Sequence, residues 1–151
     1  MNWLELKIPP PIIGMITAFI MWLLSLYVWR LESTLLSNIG IAVIVLGVSL
    51  DVIAITGFGV KKTTINPLNP NNTHVIVDTG IYKLSRNPMY LGMAVSLLGW
   101  CFFLKSPMSI LALPIFILYL NRFQIIPEEK ILAEKFRANY IAYKNSVRRW
   151  L

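Results

Sequence analysis

Long apolar runs alternate along the chain with short polar punctuation. Four of them, at 12–29, 39–58, 88–104 and 108–126, approach or reach the roughly 20 residues that cross the hydrocarbon core of a bilayer as a helix. The third is short, and Lys105-Ser106-Pro107 joins it to the fourth as a tight helical hairpin. A different pattern follows. Leu132, Phe136, Tyr140, Tyr143 and Val147 recur at spacings of 4, 4, 3 and 4, which is one apolar face of an amphipathic helix over 127–147. Lys130, Lys135, Arg137 and Lys144 occupy much of the remainder, so this helix lies against the membrane surface or caps the bundle. The pattern predicts an all-α membrane protein, one domain over 1–151, with about four transmembrane helices plus a C-terminal amphipathic helix.

Composition sharpens this. The 151 residues are 56% hydrophobic and 14% charged, with a mean hydropathy of +0.64, too apolar for an ordinary soluble domain. The first run follows Pro9-Pro10-Pro11 and has no small-residue cleavage site, so no cleavable signal peptide is expected. A net charge of +7 is compatible with nucleic acid, but in a membrane chain it reports basic cytoplasmic loops, and no nucleic-acid partner is expected. Lys7 precedes the first run, and Lys61, Lys62, Lys83 and Arg86 lie between the second and third. Seven more basic residues run from Arg122 onward, against only Arg30 and Lys105 on the other side. The expected protein is therefore multi-pass, in a bacterial inner membrane, with both termini cytoplasmic. Cys101 is the single cysteine and His74 the single histidine, so neither a disulfide framework nor a zinc site is expected.

Within the second run Gly40, Gly47, Asp51 and Ala54 share one helical face, and in the third Gly92, Ser96 and Gly99 do the same. Small faces let helices approach closely, and a membrane-embedded carboxyl belongs in the bundle interior. Asp51 is read either as functional or as tied to a neighbouring span by hydrogen bonds, a structural or supporting role being preferred. The connection 59–86 is long and rich in turn signals, Asn66-Pro67, Asn69-Pro70 and Asn71-Asn72. It carries His74, which alone would be an ordinary solvated side chain, followed by the extended-looking Val75-Ile76-Val77.

The stretch 79–92, TGIYKLSRNPMYLG, stands apart from the oily helices around it. Tyr82 and Tyr90 flank Arg86, Asn87 and Pro88. Pro88 suits a first helical turn and Asn87 an N-cap, which together put backbone donors and a positive dipole end at the membrane surface. Such a place holds the polar end of a cofactor, or is simply an Arg/Tyr interfacial anchor. Glu128 and Glu129 open the amphipathic helix, where acids favour a first turn. Beside Arg122 they also suit a ligand with hydroxyl or cationic groups.

Taken in order, His74-Val-Ile-Val, Gly80-Ile-Tyr82, Arg86-Asn-Pro-Met-Tyr90-Leu-Gly92, Glu128-Glu129, Phe136, Tyr140 and Tyr143 resemble a group of membrane methyltransferases. That group includes isoprenylcysteine carboxyl methyltransferases and phosphatidylethanolamine N-methyltransferases, and the resemblance covers roughly 47–150. It implies S-adenosylmethionine as methyl donor, without a metal, and a lipid or prenylated amphiphile as acceptor. By resemblance His74, Val75, Ile76, Val77, Tyr82, Asn87, Pro88, Met89, Tyr90 and Glu128 are cofactor-contacting, and Glu129 completes the acidic pair. Gly47 and Ser49 stand where the phospholipid branch has Gly-x-Gly, and Asn87 stands where the carboxyl-methylating branch has histidine. Gln124 replaces an arginine implicated in substrate binding in that branch, so Gln124 and, two residues away, Arg122 are the substrate-side candidates. No catalytic base is identified.

Two other classes compete with a membrane methyltransferase. One is a small membrane reductase related to sterol reductases, which would need more phosphate-binding basic residues and a longer chain. The other is a non-enzymatic helical membrane subunit, which would leave the Tyr/Arg/Glu cluster without a ligand.

Overall fold

A computed structural model describes residues 5–27, 30–61 and 75–151. Five helices carry the fold: α1 Pro10–Tyr27, α2 Thr34–Lys61, α3 Pro88–Leu104, α4 Ala112–Leu120 and α5 Ile126–Ser146. Among the described residues there is no strand, and Val75-Ile76-Val77 run as irregular backbone. α1, α2 to Gly57 and the path Pro107–Ser146 are long and apolar enough to cross a membrane, while the 17 residues of α3 make a shorter apolar helix.

α2 begins well before position 39 because Ser33 caps it. The Ser33 hydroxyl accepts the Leu36 amide at 3.2 Å, one of the donors a helix start leaves orphaned. Only Lys105 and Ser106 separate α3 from the next helical turn, Pro107–Leu111. Lys105 makes that reversal in the left-handed region at φ 57°, and its carbonyl accepts the Leu31 amide at 2.9 Å. The connection before α2 and this hairpin therefore meet at one end of the bundle.

α2 and α3 form the tightest pair, for the reason the small-residue faces predict. A Cβ on Gly40 would come within 2.5 Å of the Phe103 amide nitrogen, and one on Gly99 within 2.6 Å of the Ile44 nitrogen. Gly47 sits against Ser96, and Gly92 against the Asp51 carboxyl. α1 packs on α3 and α4, with the Trp100 indole donating to the Ala18 carbonyl at 3.0 Å and the Ser109 hydroxyl to the Met21 carbonyl at 2.9 Å.

The fourth span and the amphipathic helix are one continuous helical path rather than two elements. A π-helical turn, Asn121–Ile125, carries α4 into α5. Pro127 has no N–H to give the carbonyl four residues earlier, which is that of Phe123. The Leu6 amide takes the place, donating to the Phe123 carbonyl at 3.0 Å. The break comes later, at Arg137, whose backbone leaves the helical region (φ 44°, ψ −119°). On α5 the predicted apolar face is the least exposed one, with Tyr140 buried and Leu132, Phe136 and Tyr143 half-buried.

Candidate functional site

The segment before α3 is held from below by the C-terminal tail. The Arg86 amide donates to the Arg148 carbonyl at 3.0 Å, and the Ser85 hydroxyl to the Arg149 carbonyl at 3.3 Å. Pro88 occupies the first turn of α3, as its fixed φ favours. Asn87 sits at the cap position, but its side chain does not cap. Its amide donates to the Arg149 carbonyl at 3.0 Å, so Asn87 anchors the tail, and its own N–H is taken up by Ser85 Oγ at 3.1 Å.

One helical turn into α3, Tyr90 is buried and meets α5. Its hydroxyl donates to Glu128 Oε2 at 3.0 Å, and the side chain of Gln124 also hydrogen-bonds it. Gln124 and Glu128 are four apart and share a face, which is how one tyrosine reaches both. The π-helical turn ends between them, a distortion often found at functional sites. Tyr82 completes the cluster from the other side. It lies in the short helical turn Gly80–Lys83, and its hydroxyl donates to the Ala54 carbonyl of α2 at 3.3 Å. Burial, then the nearby Tyr143 and Glu128, hold the Tyr82 phenol well above its usual range, so it stays a donor. Val77 and Met89 pack with Tyr82 and Ala54.

Glu129 does something else. It is buried, and Arg149 grips it with two parallel hydrogen bonds at 3.0 and 2.9 Å, with Arg86 at 3.1 Å and Lys144 at 3.4 Å alongside. Those hydrogen bonds raise the Arg149 guanidinium above its ordinary value. Sequence reasoning paired the two glutamates with Arg122 instead. Arg122 lies exposed, 2.9 Å from Glu5 and over the Phe123 ring, while Gln124 is 2% exposed. The two substrate-side candidates therefore point apart. The clamp of Arg86, Lys144 and Arg149 was not picked out from the sequence; its one signal is the Arg148-Arg149 pair after an amphipathic helix.

Val75 and Ile76 part company with Val77. They line a cleft of about 950 Å³ between the 75–83 segment and the far part of α5, together with Asp78, Lys83, Phe136 and Tyr143. Tyr143 forms its inner wall and donates to the Tyr82 carbonyl at 2.7 Å. His74 and the turn-rich loop before it lie outside the described residues. Of the remaining cofactor candidates, the structure gathers Val77, Tyr82, Met89, Tyr90 and Glu128 at one end of the bundle. Val75 and Ile76 stand at the adjoining cleft, and Asn87 and Glu129 at the tail. The adenosyl and amino-acid parts of a methyl donor need hydroxyl, amide and carboxylate partners beside aromatic surface, and this set offers them. Glu128 accepts one protein hydrogen bond through Oε2, which leaves lone pairs for a ligand.

The phospholipid methyltransferase family model matches residues 35–139. A protein-S-isoprenylcysteine O-methyltransferase of Saccharomyces cerevisiae is 35% identical over 127 residues, 82% of this chain and 52% of that protein. The A form from Arabidopsis thaliana is 30% identical over 111 residues, 74% of this chain and 56% of the relative. An uncharacterized protein of Haemophilus influenzae is 46% identical over 63 residues, 42% of this chain and its own full length. The chain thus spans about half the length of the isoprenylcysteine methyltransferases it matches. No solved structure gives a significant match. With the matched region running from the start of α2 into α5, across every element of the tyrosine cluster, the chain belongs to the phospholipid methyltransferase family of membrane proteins.

Proposed function

We propose that this protein transfers a methyl group from S-adenosylmethionine to a lipid or lipid-like acceptor in the membrane, with both termini on the cytoplasmic side of a bacterial inner membrane. The observation that carries the reading is the Tyr90–Glu128 hydrogen bond, with Gln124 and Tyr82 beside it, at the end of an apolar bundle and next to an open cleft. Glu128 accepts hydrogen bonds from the ribose or amino group of the donor, and Tyr90, itself hydrogen-bonded by Gln124, holds that carboxylate in place. Val75, Ile76 and Tyr143 supply the wall against which the rest of the donor lies. Glu129 and its three cations fix the segment from Ser85 to Tyr90 and do not touch the donor. When bound, the donor supplies a sulfonium methyl, whose carbon bonds to an acceptor lone pair while the C–S electron pair stays on sulfur as a thioether. The protein's share is positioning in a water-poor site. The polar cofactor reaches the site from the water and the oily acceptor from the bilayer.

Calorimetry in detergent with S-adenosylhomocysteine and NADPH tests the cofactor, and transfer of labelled methyl from S-adenosylmethionine to total membrane lipid tests the activity. Binding of the first and not the second, together with label in the lipid phase, is expected. Binding of NADPH alone would favour a reductase. No binding of either would favour a non-enzymatic subunit.

A further inference from the structure

α1 and α2 both pack on α3 but hardly on each other, and between them lies a groove of about 450 Å³. That is within the range of small-ligand sites, about 300–1,000 Å³. Its walls are hydrocarbon, including Met15, Ile44, Leu97 and Trp100. Among the described residues Asp51 is the only ionisable one lining it, and its Oδ1 is buried against Gly92 of α3 with no hydrogen-bond partner among them. Ser96 lines the same groove from α3, but its hydroxyl is buried against Gly47 of α2 and has no hydrogen-bond partner among the described residues. Among the described residues no neighbouring span donates a hydrogen bond to Asp51 Oδ1. A carboxyl at this depth without a donor is costly and marks a ligand or an ion path. One residue connects the groove to the tyrosine cluster: Met89 lines the groove and packs against Tyr82 and Ala54.

We propose that this groove is the acceptor site, that its hydrocarbon walls hold a single apolar chain, and that Asp51 selects acceptors whose reactive end is an amine. This rests on the methyltransferase reading and adds the class of acceptor and the residue that recognises it. An amine arrives as an ammonium, whose N–H donors and positive charge suit the Asp51 carboxylate, and passing one proton to that carboxylate frees the nitrogen lone pair that takes the methyl group. A carboxylate head brings a like charge and no donor. With the amine at Asp51, one turn along α2 from Ala54, its nitrogen lies beside Met89 on the side of the tyrosine cluster.

The test measures binding by the full chain in nanodiscs, without methyl donor, of chain-matched amphiphiles that differ only in the head: a primary alkylamine, a fatty acid and an alkane. Tighter binding of the amine by tenfold or more is expected, with Asp51→Asn abolishing that preference while the affinity for S-adenosylhomocysteine stays unchanged. Gly14→Leu provides a second handle that does not depend on Asp51. Gly14 lines the groove, and a Cβ there meets nothing within 4 Å, so the larger side chain fills the groove without disturbing the helices. It is expected to weaken every chain-bearing ligand. Equal binding of amine and fatty acid, or an amine preference that survives Asp51→Asn, overturns the selection by Asp51. Unchanged binding in Gly14→Leu overturns the groove as the site. Either result can occur while methyl transfer to membrane lipid still proceeds, and loss of methyl transfer with the amine preference intact would count against the enzyme reading alone.

Discussion

Arg149 closes on Glu129 through two parallel hydrogen bonds of 3.0 and 2.9 Å, and in doing so the chain's third-last residue fixes the segment that opens α3. The same arginine's carbonyl accepts the Asn87 amide and the Ser85 hydroxyl, so one residue ties both its side chain and its backbone into the site. Arg86 completes the arrangement, its side chain 8% exposed and its Nε and one terminal nitrogen without partners among the described residues. Glu129 is what keeps that buried guanidinium compensated.

Glu129→Gln is therefore expected to destabilise the protein by about 3–5 kcal/mol, the range for removing one partner of a buried ion pair. Arg149→Lys keeps the charge but loses the planar fork, and a smaller loss is expected. Thermal unfolding in detergent checks both. Equal stability of Glu129→Gln and the parent would show the clamp to be dispensable.

Glu128 predicts differently from its neighbour. Glu128→Gln keeps the shape and the Tyr90 contact is replaceable, so stability changes little. Loss of a charge-assisted contact to the methyl donor costs about 1.5–3 kcal/mol, roughly ten- to a hundredfold in affinity for S-adenosylhomocysteine. Tyr90→Phe removes only the hydroxyl that holds the carboxylate, and a weaker effect in the same direction is expected. Calorimetry separates the two residues: a folded Glu128→Gln protein with unchanged affinity would reduce Glu128 to a helix-start residue.

What the sequence revealed follows what is local in it. The apolar runs, the small faces of α2 and α3 and the amphipathic face through Tyr140 are periodic, and period is read without knowing any contact. The Tyr90–Glu128 pairing spans 38 positions and came into view only through resemblance. Two features have little local signal. Asn87 has the chemistry of a cap, and only the folded tail shows that Arg149 claims its side chain instead. The Glu129 clamp joins groups up to 63 positions apart, from Arg86 to Arg149, and nothing in their spacing tells those two from the other basic residues. The change of pattern at Pro127, from an apolar run to an amphipathic face, suggests a boundary between two helices. Here the π-helical turn and the Leu6 amide absorb the missing N–H.

The α2–α3 contact gives a prediction about packing. Gly99→Ala would put a methyl within 2.6 Å of the Ile44 nitrogen and 2.7 Å of the Gly40 carbonyl, both backbone atoms that cannot swing aside. Overpacking of this kind costs about 1–3 kcal/mol. Gly14→Ala, at a position with open space around it, is the control and is expected to be tolerated. If both variants melt alike, close approach of α2 and α3 is not what holds the bundle together.

The last prediction concerns the two ends of the bundle. At one end the Leu6 amide meets the Phe123 carbonyl and Glu5 pairs with Arg122, while the Arg86 amide meets the Arg148 carbonyl. At the other the Leu31 amide meets the Lys105 carbonyl. Residues near both termini therefore lie at one end of the bundle, and the connection before α2 lies at the opposite end with the α3 hairpin. The basic residues follow the same division, with Lys7, Lys83, Arg86 and the seven from Arg122 onward at the first end and Arg30 and Lys105 at the second. Positive charge stays on the cytoplasmic side. A reporter fused after Leu151 or inserted near Asn71 is expected to read cytoplasm, and one inserted near Ser33 the opposite side. Replacing Lys83 and Lys130 with glutamine weakens the charge bias without touching the Glu129 clamp, and the Leu151 reporter is expected to hold its orientation because the remaining basic residues still outnumber Arg30 and Lys105. A Leu151 reporter on the far side in the unaltered protein would overturn the assignment of sides. Opposite readings at Leu151 and Asn71 would overturn the pairing of the ends itself.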